Sequence, residues 1–166
     1  MNGSTGARVV VVGLGNWLMG DDGVGVHAVR ALAADPPRGV TVIEAGTSVL
    51  DALPLVESAE KVLAIDAVEA GGAPGTVYAF DAREARVAPR PASMHSLDLP
   101  TALACFGRGP GPAEFRVLGV EPSQVGYGTG LSCAVRDALP ALTREIRRTV
   151  AEWTAQPGCD AGPEAT

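Results

Sequence analysis

The sequence predicts a single-domain three-layer α/β sandwich, with a twisted sheet of about five mostly parallel strands and helices on both faces. Three observations predict it. Strand-like apolar runs alternate with stretches of helical periodicity, the order that builds β-α-β units. The apolar share is 46% but only 4% of residues are aromatic, so Val, Leu, Ile and Ala must build the core, as in a sheet buried under helices. At 166 residues the length fits one domain, and it allows a core without disulfide staples.

The elements follow in order. Residues 1–7 and 155–166 are expected as flexible tails around a domain at 8–154, because neither has an apolar period and the last stretch is punctuated by Pro and Gly. Arg8 to Val12 is a β-branched run, a buried strand that ends at Gly13-Leu14-Gly15-Asn16. A helix is expected from Asp22 to Ala34, with Val24, Val29 and Leu32 near helical spacing and Pro36-Pro37 ending it. Val40 to Ile43 is a second strand. Ser48 to Leu55 is a short helix with Ser48 as its cap. Lys61 to Ile65 is a third strand, ending in Asp66. Glu69 to Gly75 is turn-rich, and Thr76 to Phe80 is a fourth strand. Pro89 to Ser93 is a loop, followed by a helix from Leu97 to Cys105 capped by Ser96 or Asp98. Phe115 to Val120 is a fifth strand. A helix from Ser132 to Trp153, with a kink expected at Pro140, closes the domain. In such sheets ligands bind outside the carboxyl ends of the strands, so the residues just after each strand carry the chemistry.

Charge and composition exclude several classes. The net charge is −6, and phosphate binding needs clustered Lys and Arg, so no nucleic-acid partner is expected. The dense patch Arg144, Arg147 and Arg148 reads as the solvated face of the last helix. Cys105, Cys133 and Cys159 form no C-x-x-C and no zinc spacing, and read as free thiols of a reducing compartment. The first residues lack the apolar stretch of a signal peptide, and no run is long enough to cross a membrane. A cytoplasmic protein without a membrane partner is the expectation.

Strand one running into Gly13-x-Gly15, with Glu44 closing strand two, mimics a dinucleotide-binding unit. The third glycine of that fingerprint would stand at position 18, where the chain has Leu18. Asp21 and Asp22 at the helix opening would repel a pyrophosphate. A nucleotide-binding module is therefore the alternative reading, not the favoured one. Taken alone, the two acids read as a capping pair favoured by the helix dipole. His27 reads as a helix-surface histidine.

The segment Gly13-Leu-Gly-Asn-Trp-Leu-Met-Gly-Asp-Asp-Gly-Val-Gly25 closely resembles the N-terminal signature of hydrogenase maturation proteases. Further segments resemble that family in the right order: Glu44-Ala-Gly-Thr47, Val62-Leu-Ala-Ile-Asp66-Ala, Ala73-Pro-Gly-Thr76, Ser93-Met-His95-Ser-Leu, and Gly119-Val-Glu-Pro122 with Gly130-Leu-Ser. The resemblance spans residues 8–153. One departure is that the family's Asp-Gly-Gly-Thr loop becomes Glu44-Ala45-Gly46-Thr47, which puts a supporting role for Glu44 in doubt.

The resemblance implies an endopeptidase that removes the C-terminal extension of a nickel-loaded hydrogenase large-subunit precursor. It implies that Asp22, Asp66 and His95 are the catalytic and metal-contacting residues. Two carboxylates and an imidazole suit nickel, zinc or a similar divalent ion, and three ligands leave coordination open. The nickel is expected to arrive with the precursor, although other divalent ions can occupy such a site in vitro. Either the metal polarises the peptide carbonyl or a water, or a carboxylate activates water in the manner of acid proteases. No Gly-x-Ser-x-Gly occurs and no Cys shares a motif with His95, so serine and cysteine chemistry are not expected. A nickel-precursor chaperone that does not cut is a further alternative. A monomer is expected.

Overall fold

The computed structural model describes residues 8–82 and 111–155. The expected loop at Pro89–Ser93, the helix Leu97–Cys105 and His95 lie outside the described residues, as do residues 1–7 and 156–166.

Five strands form one sheet in the order β2-β1-β3-β5-β4, with β1 at Val9–Leu14, β2 at Val40–Gly46, β3 at Lys61–Ala67, β4 at Val77–Asp81 and β5 at Glu114–Val120. β1 pairs parallel with β2 and β3, β3 pairs parallel with β5, and β4 pairs antiparallel with β5. The mostly parallel sheet is as expected. The antiparallel strand is the one that follows β3 after a short connection.

Alternation along the strands divides the core. Val9, Val11, Leu63, Ile65, Leu118 and Val120 face helices α1 (Val24–Ala33) and α3 (Cys133–Thr154). Val10, Val12, Val62, Ala64 and Val117 face α2 (Val49–Ser58) on the other side. A side-chain period of two on a sheet covered on both faces gives this division. The interior strand β1, between β2 and β3, is buried at every position. α1 lies close against the sheet because Gly25 has no side chain: a β-carbon there would sit 2.2 Å from the Ile65 carbonyl oxygen.

Some boundaries differ from expectation. The first helix opens with a 3₁₀ turn, Asp21–Gly23, before α1 begins at Val24. Ser48 stands at the N-cap of α2 but its side chain makes no capping hydrogen bond. α3 stays helical from Cys133 to Thr154 with Pro140 inside it. Among the described residues, no helix is long and apolar enough to cross a membrane.

The chain leaves β1 toward β2 on one side and returns to β3 on the other. The strand order therefore reverses at β1, and the carboxyl ends of β1 and β3 flank that switch point, the place where open α/β sheets bind ligands.

Candidate functional site

Gly15 follows β1 directly and has φ +100°, a backbone conformation that favours glycine. A β-carbon on it would lie 1.8 Å from the Asp22 carbonyl oxygen and 3.4 Å from Asp66 Oδ1. Asp22, opening the first helix, and Asp66, near the end of β3, therefore converge on Gly15 although they are 44 residues apart by their numbers (66 − 22). Asp22 is 1% exposed and Asp66 half-buried.

Main-chain donors fix both carboxylates. The Asn16 N–H donates to Asp22 Oδ2 at 2.8 Å, and the Ala67 N–H donates to Asp66 Oδ1 at 2.8 Å. Asn16 also shapes its own turn: its Oδ1 accepts from the Leu18 N–H at 3.0 Å and its carbonyl accepts from the Met19 N–H at 2.9 Å. Asn16 thus brings the chain around so that its own amide meets Asp22.

Asp21 is not the capping residue expected of it. Neither the 3₁₀ turn nor α1 has a side-chain cap. Asp21 is 1% exposed and its carboxylate meets the segment before α3. Its carboxylate accepts from the N–H groups of Ser123 (2.8 Å), Gln124 (3.0 Å) and Ser132 (2.7 Å), and from the Ser132 hydroxyl (2.8 Å). Burial alone would raise its pKa, but those hydrogen bonds outweigh it and hold the carboxyl below the usual aspartate value.

Glu121 plays the same part on the opposite loop. It is 6% exposed and accepts from the Ala70 N–H (2.8 Å), the Gly71 N–H (3.3 Å) and the Tyr78 hydroxyl (2.8 Å). Burial again opposes ionisation and the donors again prevail, lowering its pKa. Neither role was apparent from sequence. The one available signal was that each acid sits beside glycine-rich loops whose N–H groups need acceptors.

On the β2 side of Gly15 a cleft of about 170 Å³ is lined by Gly15, Asn16, Trp17, Val26 and the segment Glu44–Thr47. Glu44 does not reach toward Asp22. Its carboxylate accepts two hydrogen bonds from Arg30, at 2.7 and 2.8 Å, and Arg30 lies over the Trp17 ring at 5.0 Å. The Arg30 hydrogen bonds lower the Glu44 pKa against a smaller effect of burial. His27 is half-buried rather than on the surface, and its Nε2 has no hydrogen-bond partner among the described residues.

Two of the three expected site residues, Asp22 and Asp66, are thus brought together, while the third, His95, lies outside the described residues. Among the described residues no three His, Cys, Asp or Glu side chains form a group that could hold a metal ion. The two buried acids at the helix opening also leave a pyrophosphate no favourable seat there.

Known proteins of similar sequence and fold point the same way. The family model described as hydrogenase maturation protease matches residues 26–149, a stretch that includes Asp66 and position 95. A hydrogenase expression/formation protein, HupD of Rhodobacter capsulatus, is 31% identical over 152 residues, covering 88% of this chain and 72% of its own. HoxM of Azotobacter vinelandii, described in the same words, is 32% identical over 162 residues, covering 93% and 75%. Among solved structures, the hydrogenase maturating endopeptidase HybD from E. coli superposes with a TM-score of 0.76 at 25% identity, over 87% of this chain and 93% of that one. The [NiFe] hydrogenase maturation protease HybD from Thermococcus kodakarensis gives 0.69 at 28% identity, over 87% and 99%. With the sheet order, the glycine turn and the paired acids in place, these likenesses make the chain a member of the hydrogenase maturation protease family.

Proposed function

We propose that this protein is an endopeptidase that removes the C-terminal extension of a nickel-loaded hydrogenase large-subunit precursor, and that Asp22, Asp66 and His95 contact the precursor's nickel. The observation that supports it most is the convergence of Asp22 and Asp66 around Gly15 at the point where the strand order reverses.

The donor set fits the ion. Two carboxylates and an imidazole make a mixed O/O/N set suited to nickel and similar divalent ions. A main-chain N–H already orients each carboxylate, which is how metal-ligating acids are held. The nickel belongs to the substrate, and three protein contacts leave it open to the groups that came with it. When bound, the ion draws electron density from nearby oxygens.

The protein's own residues do the rest. They hold the precursor so that its scissile peptide lies at the carboxyl end of β1 and β3, and an aspartate carboxylate accepts a proton as water attacks the peptide carbonyl. The carbon–oxygen bond forms, the carbon–nitrogen bond breaks, and the proton passes to the departing amine. The reading carries with it a single domain at 8–154, a cytoplasmic location and a monomeric enzyme.

Intact-mass measurement of the nickel-loaded precursor before and after incubation with the protein is the decisive experiment. Cleavage shortens the precursor by one discrete tail, whereas a chaperone forms a complex with no change in mass. Asp22→Ala, Asp66→Ala and His95→Ala are each expected to lower the cleavage rate by about a hundredfold or more, since each removes a group that acts together with the others. Full processing by all three variants would refute the site assignment. Micromolar binding of NAD or ATP in a titration would favour the nucleotide module instead.

A further inference from the structure

Asp21 has no part in the proposed nickel contact, yet it holds more of the site's surroundings than any other side chain described. All its side-chain donors come from one segment more than a hundred residues downstream. Oδ1 takes the Ser132 N–H; Oδ2 takes the N–H groups of Ser123 and Gln124 and the Ser132 hydroxyl. An ionised carboxylate is acceptor-only on both oxygens, so it meets four donors without conflict. An asparagine would turn an amide NH₂ toward at least one of them.

The main chain repeats the tie. The Asp21 N–H donates to the Gln124 carbonyl at 3.2 Å, Gly20 N–H to Gly128 at 2.7 Å, and Gly128 N–H to Leu18 at 2.9 Å. Asp21 and Asp22 share a 3₁₀ turn of only three residues. A shift of Asp21 therefore moves Asp22.

We propose that Asp21 is a positioning residue: its carboxylate latches the 121–132 segment and the start of α3 onto the turn that carries Asp22, and so holds Asp22 in the orientation the reaction needs. The proposal rests on the reading of Asp22 as a site residue. Loss of a staple that only stabilised the fold would lower the melting temperature and leave the folded enzyme's turnover alone. A positioning staple changes turnover, because misplacing a reacting group by about 1 Å costs on the order of a hundredfold in rate.

Ser132 separates the two cases. Its Oγ donates to Asp21 and also accepts from the Val135 N–H at 3.4 Å as the N-cap of α3. Ser132→Asp keeps a capping acceptor but sets a second carboxylate against Asp21 in place of a donor. Ser132→Thr keeps both bonds.

The experiment is steady-state cleavage of the nickel-loaded precursor from the organism that encodes this chain, followed by intact mass, with each variant first shown to be folded by circular dichroism. Asp21→Asn and Ser132→Asp are expected to lower kcat by about ten- to a hundredfold with KM within about twofold, and Ser132→Thr to retain wild-type turnover. Wild-type kcat in folded Ser132→Asp or Asp21→Asn, or a loss confined to KM, would overturn the proposal. Should both variants fail to fold, Ser132→Ala takes their place: its kcat must fall, and Ser132→Thr must not share the loss. Asp22→Ala is measured alongside. If it cleaves normally, the site reading fails and the latch with it; if it is inactive while Ser132→Asp is fully active, only the latch fails.

Discussion

At Gly15 one missing β-carbon lets the main chain of Asp22 approach beside the Asp66 carboxylate. The φ of +100° already disfavours any other residue, and the Asp22 carbonyl oxygen, 1.8 Å from where a β-carbon would stand, is backbone that cannot rotate away. Gly15→Ala should therefore cost at least about 1–2 kcal/mol in strain alone. Because relief must displace the 3₁₀ turn, it should also abolish precursor cleavage in protein that still folds; urea denaturation and precursor mass measure the two effects separately. At this scale the sequence was legible in part. Gly15 stood out in the glycine turn after β1, and the family signature singled out Asp22 and Asp66; the two acids meet at Gly15. Asp21 did not, because nothing local distinguishes a helix-opening acid that caps its own helix from one that binds backbone a hundred residues away. Glu44 kept its charge relative to the family's pattern but gave it to Arg30, a partner one strand and one helix apart that no spacing rule links.

Hydrophobic periodicity identified each described strand and helix to within a few residues, because burial on both faces leaves long apolar runs with little ambiguity. The direction of β4 was also derivable. Only residues 68–76 separate β3 from β4, fewer than a parallel crossover needs, so β4 must start where β3 ends and run back. The loops around the site were not legible, since their shape comes from Asp21 and Glu121 rather than from turn residues. α3 shows what secures an element here. Its Leu142, Ile146 and Val150 are buried against the face of the sheet shared with α1, and Trp153 lies under Lys61 and Arg116 at 5.8 and 5.3 Å. Ile146 is 0% exposed, so Ile146→Ala should destabilise the fold by about 2–5 kcal/mol, lowering the urea midpoint with an unchanged slope. A smaller loss would mean that α3 can settle into the space left behind.

The molecule as a whole carries a net charge of −6, and two of the three buried acids among the described residues, Asp21 and Glu121, have donors that favour the ionised form. Asp21 ties the first helical turn to the segment before α3, and Glu121 ties the connection after β3 to the end of β5. Both have pKa values below their ordinary ones, 3.8 for Asp21 and 4.5 for Glu121. A depressed folded-state pKa contributes stability that is complete above the unfolded value and is lost as pH falls toward and through the folded value. Both contributions should therefore be intact at neutral pH, begin to fade below about pH 4.5 for Glu121 and below about 3.8 for Asp21, and vanish once both acids are protonated. Urea midpoints measured from pH 7 downward should hold level as far as these two acids are concerned to about pH 4.5 and fall below it. Glu121→Gln, which keeps the shape but offers one acceptor oxygen to three donors, should be less stable at pH 7 and lose less on acidification, so that the two curves approach each other at the acid end. Parallel curves would mean that Glu121 holds its loop by shape and not by charge. In that case the acid sensitivity would come from the other acids with lowered pKa values, among them Asp21, whose donors Ser123 and Gln124 precede Val125 and the almost fully exposed Tyr127.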